Sequence, residues 1–587
     1  MRRQQGEAQV GSPREQGLSG AMTRLANRYA VWRACAAPPA TGFVSQPEPR
    51  SIGLVARGRQ LLAGNFLLAG HLVEAPGTSI WDVPTGATAF HEAAQGFLWL
   101  DDLAAVADAR ARSVAQGWVL DWIARYGRGR GPGWTPDLTG RRLIRWINHA
   151  IFLMNGRSTE DNHAFFRALT VQVVFLSRRW QAAAPGLPRF EALTGLIYAG
   201  LALTGLDALT ASAVTALAGE CDREIDAEGG LPTRNPEELL EVFTLLNWAA
   251  QALGEVGQPL PPPIRQAIER IAPTLRALRH ADGGLARFHG GGRGGEGRLD
   301  QALAASGVKA LPGPGSAMGF LRLAAGRTTL IVDAAAPPGG RAGASAHAST
   351  LAFEMTSGRR PVIVSCGNGA PFGADWHRAG RATASHSTLA VEGYSSSRLD
   401  RGAVGMLADR ADVTLLRPAR TAEGQVLQLA QDGWRRTHGL IHGRLLVLST
   451  DGRHIGGQDE LRAESQADRA RLETALGRSA AGKLRLALRF HLHPDVDAEI
   501  DMGGAAVSLA LKSGEIWVFR HDRPRGLALE PSVYLEKGRI SPRASRQIVV
   551  SAELDDFGCR IGWTLAKAQD TPLAIRDLER DDPPLLF

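Results

Sequence analysis

The hydrophobic pattern of this chain changes period once, and that change limits what it can fold into. From about Phe90 to Arg279, apolar residues recur three and four positions apart, the spacing that lines one face of a helix. After about Ala317 they alternate in short runs such as TTLIVDA, TLAFEM, STLAVEG and EIWVFRH, bounded by turn residues with no long helix between them. The first part predicts helices over Leu103–Tyr126, Gly140–Met154, Asn162–Ala183, Arg189–Leu203, Ala208–Ala227, Pro236–Leu253 and Pro263–Arg279. Breakers such as GRGRGPGWTP, APGLP and GQPLPPP separate them, so neighbouring helices run antiparallel in a bundle, solenoid or incomplete toroid. The second part predicts an antiparallel β-sandwich.

The 587 residues suffice for two substantial cores. The expected division is a helical domain over 51–280, a Gly-rich linker over 281–316, a sandwich over 317–570 and a tail over 571–587. Residues 1–50 read as a disordered segment or a misplaced start, with Met22 as an alternative first residue. The run HGGGRGGEGR reads as linker, because no strand and helix frame it as a phosphate cradle. Four widely spaced cysteines form no CxxC pair and suggest buried thiols, not a disulfide framework. The net charge of +8 suits an acidic polymer, while no nucleic-acid motif is present. No apolar signal-peptide core and no membrane-spanning run are visible.

Two segments each set one histidine among small and hydroxyl residues ahead of an alternating run: AHASTLAFE, with His347, and RATASHSTLAVEGYSSSR, with His386. A sheet must fold these distant segments together if they act together. With GFLWLDDL, WTPDLTGRRLIRWINHAIFL, GGLPTRNPEELLE, HADGGLARFHG, THGLIHGRLLVLSTDG and LRFHLHPDV, they resemble the heparinase II/III-like proteins, in order, over roughly residues 50–570. The resemblance implies an α/α-toroid followed by a β-sandwich. It also implies a lyase that cleaves a uronate-containing, anionic polysaccharide by β-elimination, and a place in the periplasm or cell envelope. Such chemistry needs a neutralised carboxylate, a base and an acid, and no redox cofactor.

The family's H-x-H-x-D positions read Ser345, His347 and Ser349, so the catalytic first histidine is absent. His347 and His386 match positions that bind zinc in some members. With Cys366 they form a candidate structural zinc set, although strand alternation turns residues 365 and 366 to opposite faces. The alternative is that both histidines hydrogen-bond to neighbouring hydroxyls. The loop DWHRAGRATASH offers His377 or His386 as base, with Arg378 and Arg381 as carboxylate clamps. Tyr394 is the tyrosine best placed to move a proton. Arg234 could pair with a carboxylate, and Asn235 is either a neutralising amide or the cap of a helix starting at Pro236. Trp134, Arg142 and Trp146 are either sugar platforms or core. Where the family carries an amide and a turn tyrosine, this chain reads PGLPRFEALTG, with no asparagine, and GGLPTRNP, with no tyrosine. With the absent histidine, these losses leave a second reading open: a non-catalytic relative that binds anionic glycan or helps assemble an envelope polymer.

Overall fold

The computed structural model describes residues 18–570 except 46–48, 52, 314, 401–404, 480 and 524. Residues 1–17 and the expected tail at 571–587 lie outside the described residues. A helical domain is followed by two stacked antiparallel sheets.

The predicted helices form with shifted ends. Pro136–Asn148 begins with proline in its first turn, as does Pro236–Glu255, whose Asn235 side chain accepts from the Glu237 and Glu238 amides. Pro136–Asn148 crosses Leu187–Ala202 at two glycines. A Cβ on Gly195 would come within 2.5 Å of the Gly140 Cα, so this crossing admits no side chain at either position. The pattern over Leu103–Tyr126 is split, with helices at Leu98–Val106 and Ala109–Tyr126. Asp108 caps the second by accepting from the Ala111 amide. The short apolar runs near residue 65 form a small hairpin, Asn65–Leu68 with His71–Glu74.

Two boundaries depart from expectation. Within the segment expected to be disordered, Leu18–Ala34 is a helix, here called α1. Val31 and Ala34 are buried in the toroid core, and Asn27 donates to the Trp134 carbonyl at 3.0 Å. Nor is 281–316 a plain linker: Leu285, Ala286 and Phe288 enter the helical core, and Arg298–Ser306 is a helix.

One sheet has the order Val413–Arg420, Gly424–Trp434, Leu440–Ser449, His454–Arg462, Gly558–Gln569, Ile516–His521, Ala506–Leu511, Val496–Asp501. The other runs Leu527–Tyr534, Arg543–Leu554, Leu484–Leu492, Arg360–Val364, Phe353–Ser357, Thr328–Asp333, Phe320–Ala325. The sandwich core lies between them, including Phe353, Phe490, Phe519 and Trp563. Phe320, Ile331 and Ala352 instead belong to the toroid core, so the second sheet faces the helices on its other side.

Candidate functional site

The docking of that sheet against the helices brings the two histidine segments together. The His347 and His386 ring centroids are 5.2 Å apart. A third histidine, His289, lies 6.2 Å from His347. It comes from the Gly-rich segment read as linker and was missed as a site residue. Gly290, beside it, has φ +86°, and a Cβ there would meet the Ser345 Cβ at 2.8 Å. Only glycine lets the backbone pass that close.

Hydrogen bonds fix the tautomers. The His347 amide donates to His289 Nδ1 at 3.2 Å, and the Gly290 amide donates to His347 Nε2 at 3.1 Å. His289 therefore carries its proton on Nε2 and His347 on Nδ1. His289 Nε2 sits 3.5 Å from Asp333 Oδ2, at the edge of hydrogen-bonding reach. Asp333 also accepts from Arg234 and from the Ser349 hydroxyl, both at 2.6 Å. His386 Nδ1 lies 3.0 Å from the Ser365 hydroxyl, and its ring stacks toward Phe288.

All three histidines are at most 1% exposed. Burial pushes His386 down to about 3, with His491 and His289 adding to the effect. Burial, then His386 and His289, holds His347 well below the ordinary range. His289 is also lowered by burial, against the pull of Asp333. Burial raises Asp333, but Arg234 and His289 outweigh it and keep the carboxylate ionised. The cluster is thus three neutral imidazoles beside one paired carboxylate. A base whose pKa is near 3 is poorly matched to proton abstraction near neutrality.

The other expected residues divide among different roles. Arg234 donates to Asp333 and to the carbonyls of Met318, Gly319, Ala335 and Ala336, so it joins the helical domain to the sandwich. Its own φ is +49°, a left-handed conformation held by those five partners. Asn235 is the helix cap, with its Oδ1 engaged by two amides. Arg381 is 2% exposed and donates to the Ala346 and Gly343 carbonyls, which pins the backbone ahead of His347 and does not leave a clamp. Burial lowers it to about 10. His377 is half-buried, with Nδ1 unpartnered, and Arg378 is exposed beside it. Tyr394 is 51% exposed and packs edge-on against His438 at 4.5 Å, outside the histidine cluster.

The zinc expectation is corrected by the direction of Cys366. Its sulfur lies 3.5 Å from His491 Nδ1, while the preceding Ser365 takes the face toward His386. His347, Cys366 and His386 therefore do not converge as ligands. Among the described residues, no group of three or more His, Cys, Asp or Glu could hold a metal ion. The sugar-platform expectation also fails. Trp134 and Trp146 are buried in the toroid core, and the fully buried Arg142 lies 4.2 Å from the Trp122 ring. Arg142 donates to Gln172 and to the Gln95 and Gly133 carbonyls.

Arg444 was also missed. From the sandwich core it donates to the Leu351 carbonyl at 2.6 Å and the Ser387 carbonyl at 3.0 Å, holding both histidine segments from behind. The signal was visible: an arginine at an inward position of LIHGRLLVLS is costly unless paired. At the opposite end of strand Thr328–Asp333 from the cluster, an open groove of about 620 Å³ is lined by Arg322, Arg327 and Arg359.

Residues 309–564 match the family model described as Heparinase II/III-like, C-terminal. The chain is 29% identical over 547 residues to FtsZ-localized protein C of Caulobacter vibrioides, covering 91% of this chain and 92% of that protein. The crystal structure of heparinase III superposes with a TM-score of 0.67 at 13% identity, covering 94% of this chain and 90% of that one. Heparan sulfate lyase HepC from Pedobacter heparinus gives 0.53 at 14% identity, covering 94% and 89%. These structures share the toroid-and-sandwich architecture.

Proposed function

We infer a role for this chain from the premise that it belongs to the heparinase II/III-like family: it is a lyase fold that works as a non-catalytic scaffold for an anionic polymer. The observation that carries this reading is the closure of the histidine cluster. Elimination needs a neutralised carboxylate on the substrate, a base and an acid, all within reach of one sugar. Here His386 is fully buried, Arg234 is bonded to Asp333 and four carbonyls, and Tyr394 faces His438. Arg234 is taken up in joining the two domains, His386 is closed off from solvent, and Tyr394 lies outside the cluster.

Binding needs less. The groove is edged by Arg327, whose Nη1 lies 3.7 Å from Glu515 Oε1, and by the exposed Arg359, whose guanidinium can meet carboxylate or sulfate without requiring a reacting geometry. The name of the Caulobacter relative places that protein with FtsZ. That likeness supports a position at the division site for this chain as well, where the scaffold would act on envelope assembly.

The test is absorbance near 232 nm, the band of an unsaturated uronate, with heparin, heparan sulfate, chondroitin, hyaluronan, alginate and envelope polysaccharide. The expected result is no rise on any polymer. Retention on heparin should fall in Arg327→Gln/Arg359→Gln. A second reading, a lyase with a rearranged site, draws on the unpartnered Nδ1 of His377 beside the exposed Arg378. A rise that disappears in His377→Ala would establish it and overturn the scaffold. A fluorescent fusion imaged with FtsZ checks the division-site placement against the diffuse envelope or periplasmic distribution expected from the family.

A further inference from the structure

We propose that α1 docks the protein onto an anionic lipid surface. Met22, Leu25, Tyr29 and Trp32 are 71, 65, 59 and 67% exposed. Their spacing of three, four and three residues puts them on one face of the helix. Single exposed apolar residues are ordinary, but four large ones in a row form a patch that marks an interaction site.

The patch is held outward by the rest of the fold. Ala30, Val31 and Ala34 are buried in the toroid core. Asn27 donates to the Trp134 carbonyl and accepts from Arg179 Nε at 2.8 Å. The helix is therefore fixed by its opposite face, and the stripe cannot turn inward.

Charge selects the occupant. Every charged side chain between Leu18 and Ala34 is an arginine: Arg24, Arg28 and Arg33. A second copy of the chain is disfavoured by position. If the four apolar residues form a heptad seam, Arg28 and Arg33 take the two flanking positions. Parallel pairing sets Arg28 against Arg33 of the other copy, and antiparallel pairing sets each against itself. Both arrangements juxtapose like charges. A bilayer with anionic headgroups removes that conflict. The tyrosine and tryptophan rings suit the headgroup level, and arginine stems lie along apolar surface while their heads meet phosphate. With three arginines in 17 residues α1 would lie on a bilayer, and no helix among the described residues is long and apolar enough to cross one.

The experiment is co-sedimentation of the full chain with phosphatidylglycerol–phosphatidylcholine vesicles and with phosphatidylcholine vesicles alone. We expect partition onto the anionic vesicles, weakened by salt, and at least about tenfold less on phosphatidylcholine. Leu25→Ser/Trp32→Ser should lower partition about tenfold or more, with an unchanged circular dichroism spectrum because both side chains point outward. Arg28→Gln/Arg33→Gln keeps the apolar row and should also weaken it severalfold. Wild-type protein left in the supernatant with anionic vesicles overturns the proposal, as does unchanged binding by both variants. So does a wild-type dimer, seen by light scattering, that Leu25→Ser/Trp32→Ser makes monomeric. None of these outcomes depends on whether the histidine cluster or the arginine groove acts on a polymer.

Discussion

Asp333 and Asp459 are the same side chain in the same degree of burial, but they hold different things together. Asp459 accepts from Arg444 Nε at 2.8 Å and Trp563 Nε1 at 2.9 Å, with His442 Nε2 at 2.7 Å. All these partners lie on neighbouring strands of one sheet, with Arg444 paired directly across from Asp459. Asp333 draws Arg234 from the helical domain, His289 from the connecting segment and Ser349 from a loop of the sandwich. The first network follows from strand register alone. The second exists only when the domains dock, and it leaves His289 at a long 3.5 Å. In the framework these three Asp459 contacts are 2.7–2.9 Å, whereas the joint leaves one partner of Asp333 at the edge of hydrogen-bonding reach.

The contrast can be broken most forcefully at the framework. Asp459→Ala leaves Arg444 buried without its counter-charge and should cost about 3–5 kcal/mol, the usual penalty for halving a buried ion pair. Loss of soluble protein, or a much lower thermal midpoint, is the expected reading. Arg234→Met should cost less, about 2–3 kcal/mol, because the parted surfaces can admit water to Asp333. Hydrogen exchange should quicken at 318–319 and 335–336 while strand Leu440–Ser449 stays protected. Equal loosening of both regions would erase the distinction.

Acid sharpens it further. His386 is pushed down to about 3 from an ordinary 6.5. Between those values the unfolded chain binds a proton that the native state refuses, so stability is full above 6.5 and declines as pH falls toward 3. The slope is at most about 1.4 kcal/mol per pH unit for each such histidine. Three lie at the joint, 289, 347 and 386, against His442 in the framework. Asp333 and Asp459 hold their charge below the ordinary carboxylate value of 3.8. Mild acid should therefore open the joint first, and His386→Gln should flatten the pH dependence of the thermal midpoint. An unchanged slope in that variant would count against the cluster as its source. The smallest effect belongs to Tyr394→Phe, within about 0.5 kcal/mol, since its half-exposed ring sits outside both networks.

The architecture was legible because a change of period needs no tertiary information: Pro236–Glu255 could be read from its proline, its acids and its apolar spacing. The meeting of His347 and His386 and the opposite facing of Ser365 and Cys366 were legible from the strand pattern and the resemblance together. His289 was not, because a glycine run looks the same in a linker and in a tightly packed crossing. The order of that segment comes from contacts such as Gly290 against Ser345. Trp134, Arg142 and Trp146 failed for another reason. Helical spacing shows which residues share a face, but in a toroid that face can turn toward the core or toward a groove. The sequence of α1 hid its packing because its buried positions are small and its large apolar residues point outward.

Arg444 carries a consequence for how such a chain can change over generations. Its guanidinium grips the main-chain carbonyls of Leu351 and Ser387, atoms that every amino acid supplies. The shape of the two histidine segments is thereby insured from behind against replacement of their own side chains. A lineage can exchange side chains along these segments and still inherit the same surface for a new task.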